Sequence, residues 1–126
     1  MIHFDTDFLI HFLTPNSREA SVAEQWLSDG EMFSISSVAW MEFVTGPQGD
    51  EDIRDALALV ENRVISFGKV DAEKAAALFN AVDRRRSLRR DSMVAATAIS
   101  SGASLATRDF GDFSLFEPHG LKLLRW

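Results

Sequence analysis

The sequence predicts an α/β protein built on a parallel sheet covered on both sides, because short apolar runs alternate with segments of helical periodicity along all 126 residues. Strong breakers, "TPNS" and "GPQGD" among them, fall between those segments and not inside them. No repeat, linker or low-complexity tract interrupts the chain, whose length suits one core, so a single domain over residues 1–126 is expected.

Each element has its own signal. Met1 to Phe4 is a short apolar run ending at an acid, the pattern of a buried strand. Phe8, Leu9, Phe12 and Leu13 follow at helical spacing until Pro15. Ser17 is placed to cap a second helix, with Ala20 as its N3 residue, that runs through Val22, Ala23, Trp26 and Leu27 to Gly30. "EMFSIS" reads as the second strand and "SVAWMEFVT" as the next helix. A helix from about Glu51 to Glu61 leads into "RVISF", the third strand. Asp71 to Val82 is helical, with Ala75, Leu78, Phe79 and Val82 on one face. "DSMVAATAISSG" is an Ala-rich helix closed by Gly102, "ASLAT" a fourth strand and "LKLLRW" a fifth.

Composition narrows the chemistry. With no cysteine, disulfides, thiolate metal sites and cysteine nucleophiles are excluded, and a reducing, cytosolic setting is expected. Asp5 and Asp7 interrupt the first apolar stretch, which argues against a leader peptide, and no stretch approaches the length of a membrane span. A net charge of −6 argues against nucleic-acid binding by bulk electrostatics alone. The basic residues are clustered, however: "RRRSLRR" holds Arg84, Arg85, Arg86, Arg89 and Arg90, either a solvated basic face or a contact for phosphates.

The acidic residues carry the functional argument. In a parallel sheet the loops after the strands, and the N-termini of the crossover helices, share the carboxyl edge where ligands bind. Asp5 ends the first strand, Glu42 lies early in the helix after the second, Asp91 opens the helix before the fourth, and Asp109 and Asp112 follow that strand. Each has a plainer explanation: Asp5 and Asp91 as helix caps, Asp109 and Asp112 as turn formers, Asp7 as a first-turn acid facing the helix dipole. Glu42 resists such an explanation. It is the only charged side chain of an otherwise apolar helix and is expected to be buried, or at a buried edge, with no cation nearby in sequence. Converging carboxylates raise one another's pKa unless a cation compensates them, and all-oxygen donors suit Mg²⁺ or Mn²⁺. Hydrolysis of a phosphodiester follows naturally from such a site. His3, His11 and His119 support no catalytic triad, His3 reading as a hydrogen-bonded strand residue, and no phosphate-binding glycine loop is present.

"FDTDFLI", "SSVAWMEF" and "RRDSMVAATAISSGASLATRDFGDF" together resemble the PIN-domain ribonucleases, and among these the VapC-type toxins of toxin–antitoxin pairs, over essentially the whole chain. The resemblance implies a Rossmann-like three-layer α/β/α sandwich around a parallel five-stranded sheet. It implies Mg²⁺- or Mn²⁺-dependent RNA cleavage, a homodimer, and neutralisation by an antitoxin peptide that brings a basic side chain to the acids. Asp5, Glu42 and Asp91 match the first three acids of the family, with Asp5 and Asp91 as the most direct ligands. Asp109 is the expected fourth, with Asp112 as the alternative. Thr6 matches a hydroxyl beside the first acid, Thr107 belongs to the Thr-x-Asp position, and Asp7 stands where the family often carries Asn or Ser. Arg85, Arg86, Arg89 and Arg90 become candidate RNA contacts. Trp40, Met41 and Phe43 are expected in the core, as is Trp26.

Two other readings compete. "DTD" after an apolar strand also resembles the start of haloacid-dehalogenase-type phosphatases, but Lys69, Lys74 and Lys122 all stand away from the later acids, and nothing in that family explains Glu42. The other is a PIN-like interaction module without catalysis, against which the retained acids weigh.

Overall fold

The computed structural model describes residues 1–126. Five parallel strands form the sheet: β1 (Ile2–Phe4), β2 (Phe33–Ser36), β3 (Val64–Ile65), β4 (Ser104–Ala106) and β5 (Lys122–Leu123), in the spatial order β3-β2-β1-β4-β5. Helices α1 (Thr6–Phe12) and α2 (Arg18–Ser28) connect β1 to β2, and α3 (Ser37–Thr45) with α4 (Asp50–Leu59) connect β2 to β3. Helices α5 (Lys69–Ala81) and α6 (Arg89–Ser100) return the chain across the sheet to β4. The short α7 (Phe110–Phe113) and a 3₁₀ segment (Ser114–His119) precede β5. Because β2 and β3 lie to one side of β1, and β4 and β5 to the other, right-handed crossovers send the two sets of helices to opposite faces. The α/β/α sandwich read from the sequence is therefore the fold.

Local signals account for most boundaries. Ser17 caps α2 by accepting from Ala20 N at 3.0 Å, and Ser36 caps α3 by accepting from Ala39 N at 3.1 Å. Gly102 adopts φ +67°, the left-handed conformation that ends α6. Some bounds differ from the sequence reading. α5 begins at Lys69, because the Asp71 carboxylate reaches back to Gly68 N at 2.8 Å and stabilises an earlier first turn. α6 begins at Arg89, which puts Asp91 inside the first turn and removes its reading as a cap. β3 and β5 are two residues each, shorter than the apolar runs that suggested them, as edge strands with one ladder partner. The Ala-rich sequence of α6 serves close packing: Ala95, Ala96 and Ala98 are buried, and α6 lies against α5.

The core sits on both faces of the sheet. Phe4, Phe8, Phe33, Phe43, Phe113 and Phe116 are fully buried, each worth about 1.5–3 kcal/mol of transfer free energy. Trp26 stacks on Phe8 at 5.5 Å, a core role, and Trp40 stacks on Phe43. Met41 is a correction: it is 61% exposed, because the turn of α3 that buries Ala39 and Phe43 points positions 41 and 44 outward. His3 is fully buried and bonded to Ser34 Oγ through Nδ1, as expected of a strand residue. Burial, with the nearby N-terminal charge, pushes its pKa down to about 4.

Candidate active site

The switch point of the sheet lies between β1 and β4, the two strands from which the connections run in opposite directions. Phe4 pairs with Ala106 in register, and Asp5 N donates to Ala106 O at 2.9 Å. Asp5 and Thr107 therefore leave neighbouring strands side by side. Thr107 Oγ1 donates to Asp5 Oδ2 at 3.0 Å and accepts from Asp109 N at 3.0 Å, so one hydroxyl fixes two of the predicted acids. Asp5 also caps α1, accepting from Thr6 N at 2.9 Å. The reading of Asp5 as a cap therefore holds, and its other carboxylate oxygen faces Thr107 at the end of the neighbouring strand. Thr6 Oγ1 donates to Ala39 O at 3.0 Å, tying α1 to α3.

Three further acids complete the cluster. Carboxylate oxygens of Asp91, Asp109 and Asp112 lie within 4.8 Å of one another. Asp109 caps α7 by accepting from Asp112 N at 3.2 Å, which brings both carboxylates beside Asp91. Burial raises the pKa of Asp91 to about 6, against the lowering contributed by Arg90 and with further raising by Asp5 and Asp109. Asp112 is also raised, by desolvation and by the neighbouring Asp109 carboxylate, while the Arg85 charge pulls the other way.

Two expectations are corrected here. Glu42 is 43% exposed at its side chain, because α3 presents much of its apolar surface outward instead of burying it all round. It also has a cation: Arg90, which lies 48 positions later and could not be seen as a neighbour. Arg90 donates from Nη2 to Asp5 Oδ1 at 2.6 Å and from Nη1 to Asp91 Oδ1 at 2.8 Å, and its Nε lies 2.5 Å from Glu42 Oε2. Burial opposes its charge, but Asp5, Asp91 and Glu42 override that cost and raise its pKa. The basic cluster is accordingly divided. Arg90 turns inward, Arg89 lies over the Phe79 ring at 5.3 Å, and Arg84, Arg85 and Arg86 are exposed in the segment before α6. They form no continuous basic helix face. Asp7 is exposed, and no hydrogen bond or ion pair joins its side chain to the cluster. Sequence reasoning did not single out Arg108, which bonds His11 Nε2 at 2.8 Å and pairs with the buried Glu19 at 3.5 Å. Its position beside Thr107 is the one signal that would have drawn attention to it.

A parallel α/β sandwich with clustered carboxylates at its switch point defines a class of proteins whose ligand site lies at the carboxyl edge of the sheet. Within that class the chain belongs to the PIN-domain family, whose model matches residues 2–115. That membership sets aside the haloacid-dehalogenase reading, and Lys69, pairing with Glu73 on α5, is no part of the acidic site. No curated protein sequence matches. Among solved structures, the chain is similar to FitAcB from Neisseria gonorrhoeae, at 22% identity and TM-score 0.73, covering 99% of this chain and 97% of that one. It is likewise similar to VapBC2 from Rickettsia felis bound to a promoter DNA fragment, at 20% identity and TM-score 0.72 over 100% and 99% of the two chains. DNA-bound VapBC from Salmonella typhimurium matches at 20% identity and TM-score 0.72 over 98% and 96%.

Proposed function

We propose that the protein is a divalent-metal-dependent ribonuclease, the toxin of a toxin–antitoxin pair, with residues 1–126 acting as one domain. The observation that carries this reading is the convergence of Asp5, Glu42, Asp91, Asp109 and Asp112, from separate segments, at the switch point of the sheet. An all-carboxylate donor set with three oxygens within 4.8 Å of one another fits Mg²⁺ or Mn²⁺. An ion held there would polarise a phosphodiester oxygen and lower the pKa of a water molecule.

The chain's own residues have distinct tasks in this reading. Asp91 stands at the centre, with Asp5 and Asp109 as the other direct ligands, Glu42 acting directly or through water, and Asp112 available as an alternative. Thr107 holds Asp5 and the Asp109 backbone in place, and Thr6 secures the turn after β1. Asp7 adds negative charge nearby without touching the cluster. Arg85 and Arg86 are exposed and free to meet RNA phosphates, the first close enough to Asp112 to act on its ionisation. Similarity to a toxin–antitoxin complex from Klebsiella pneumoniae supports an antitoxin partner, and cytoplasmic action and a homodimer belong to the same proposal. No helix is long and apolar enough to cross a membrane.

A second reading, an interaction module without catalysis, draws on the Arg90 ion pairs, which already compensate part of the acidic cluster. Incubating a mixed RNA pool with purified protein and Mg²⁺ or Mn²⁺, beside EDTA and Asp91→Asn controls, separates the two. Cleavage lost in both controls supports the nuclease. No cleavage and no calorimetric metal binding supports the module.

A further inference from the structure

The acidic site has two unequal halves. On one side of Asp91, the Arg90 guanidinium lies among Asp5, Glu42 and Asp91, at 2.6, 2.5 and 2.8 Å, and donates also to Thr6 Oγ1 at 3.1 Å. In the other half, carboxylate oxygens of Asp109, Asp112 and Asp91 lie within 4.8 Å of one another, and no basic side chain forms an ion pair with Asp109 or Asp112. Five carboxylates thus face a single internal cation.

Arg90 is suited to leave as well as to stay. Its side chain is 31% exposed, so a path to solvent is open. Its contacts are also uneven. Asp5 and Asp91 receive aligned N–H donors, whereas Nε lies close to Glu42 without aiming its hydrogen there, leaving a buried donor without an aligned partner. It precedes Asp91 directly in the first turn of α6, so a change of side-chain rotamer can remove the charge while the ligand stays in place. Tethering on the same helix gives the guanidinium a high effective concentration at the carboxylates, which a free cation must overcome.

We propose that Arg90 is a built-in competitor for the divalent ion: its guanidinium occupies the cation position between Asp5, Glu42 and Asp91, and metal binding there drives it outward. The inference rests on the metal-site reading above and adds a restraint to it. Asp5 and Asp91, with Glu42 directly or through water, serve two cations in turn, the internal one holding the site compensated when divalent ions are scarce. The apparent metal affinity is then the intrinsic affinity multiplied by the fraction of molecules in which Arg90 has withdrawn. A residence of about nine-tenths in the site weakens apparent binding about tenfold.

Calorimetric titration of the full chain with Mn²⁺ tests this, comparing wild type, Arg90→Gln and Asp91→Asn, with folding checked by circular dichroism. The expected result is binding about tenfold or more tighter in R90Q than in wild type, and loss of binding in D91N. Wild-type and R90Q affinities that agree, with D91N inactive in binding, would overturn the competitor and leave the metal site standing. Absence of binding in both folded wild type and folded R90Q would overturn the competitor and the metal site alike. Because R90Q leaves carboxylates unpaired and risks misfolding, the wild-type chain provides a second readout: the ¹⁵Nε–¹H resonance of Arg90 followed during Mg²⁺ titration. Displacement predicts a marked shift and faster solvent exchange at saturation; a resonance unchanged at saturation overturns the proposal.

Discussion

Replacing Asp91 by Asn should stabilise the fold of the metal-free protein while removing its metal affinity. The Asp91 carboxyl is buried, and its pKa of about 6 lies well above the ordinary 3.8, chiefly through desolvation. The interval corresponds to about 3 kcal/mol at about 1.36 kcal/mol per pH unit, an upper limit on what ionised Asp91 costs the native state at about pH 8. The sign follows from proton uptake. Between about 6 and 3.8 the native state binds more protons at this group than the unfolded chain, so wild-type stability gains relative to the variant as pH falls. The side-chain amide that D91N introduces keeps an oxygen acceptor for Arg90 Nη1, and Arg90 retains Asp5 and Glu42. Urea denaturation in EDTA should therefore show a raised D91N midpoint at about pH 8, by at most about 1–3 M for m-values of about 3–1 kcal/mol/M. The gap should close towards about pH 4. A variant less stable than wild type at the higher pH, or a gap independent of pH, would refute the view that Asp91 is held ionised at the expense of stability. Residues kept under such a penalty are the ones expected to have another task.

Three other perturbations follow from named contacts. His3 should remain neutral in the native state until about pH 4, while the unfolded chain protonates near 6.5; its contribution to stability is complete above 6.5 and falls by about 3 kcal/mol down to about pH 4. A native imidazole titrating near 6.5 by NMR would contradict this. Thr107→Val removes the hydroxyl shared by Asp5 and Asp109 N, and should weaken Mn²⁺ binding by about 10- to 100-fold in calorimetry with the fold retained. Ser17→Ala deletes the cap of α2 and should cost about 1 kcal/mol in urea denaturation, without changing metal affinity.

The order of elements, the parallel sheet and the set of acids were legible in the sequence because they depend on short-range patterns. Apolar runs, breakers and capping residues act within a few positions, and the connection rule for parallel strands brings the Asp5, Glu42, Asp91 and Asp109 segments to one edge. Side-chain partnerships did not follow from those patterns. Arg90 looked like one member of a basic run, yet its principal contact, Asp5, is 85 positions away. Whether it turned to solvent, towards Phe79 as Arg89 does, or onto the acids depended on how α6 packs beside α3 and brings Arg90 to Asp5, which no local pattern encodes. Glu42 and Met41 were misjudged for a related reason: an apolar helix reads as buried all round, while packing decides which of its faces is covered. That carboxylates would gather at the switch point was already written in the order of residues. That the cation among them is the chain's own emerged only once the helices were packed, because charge pairing is settled by distances in space and not by separation along the chain.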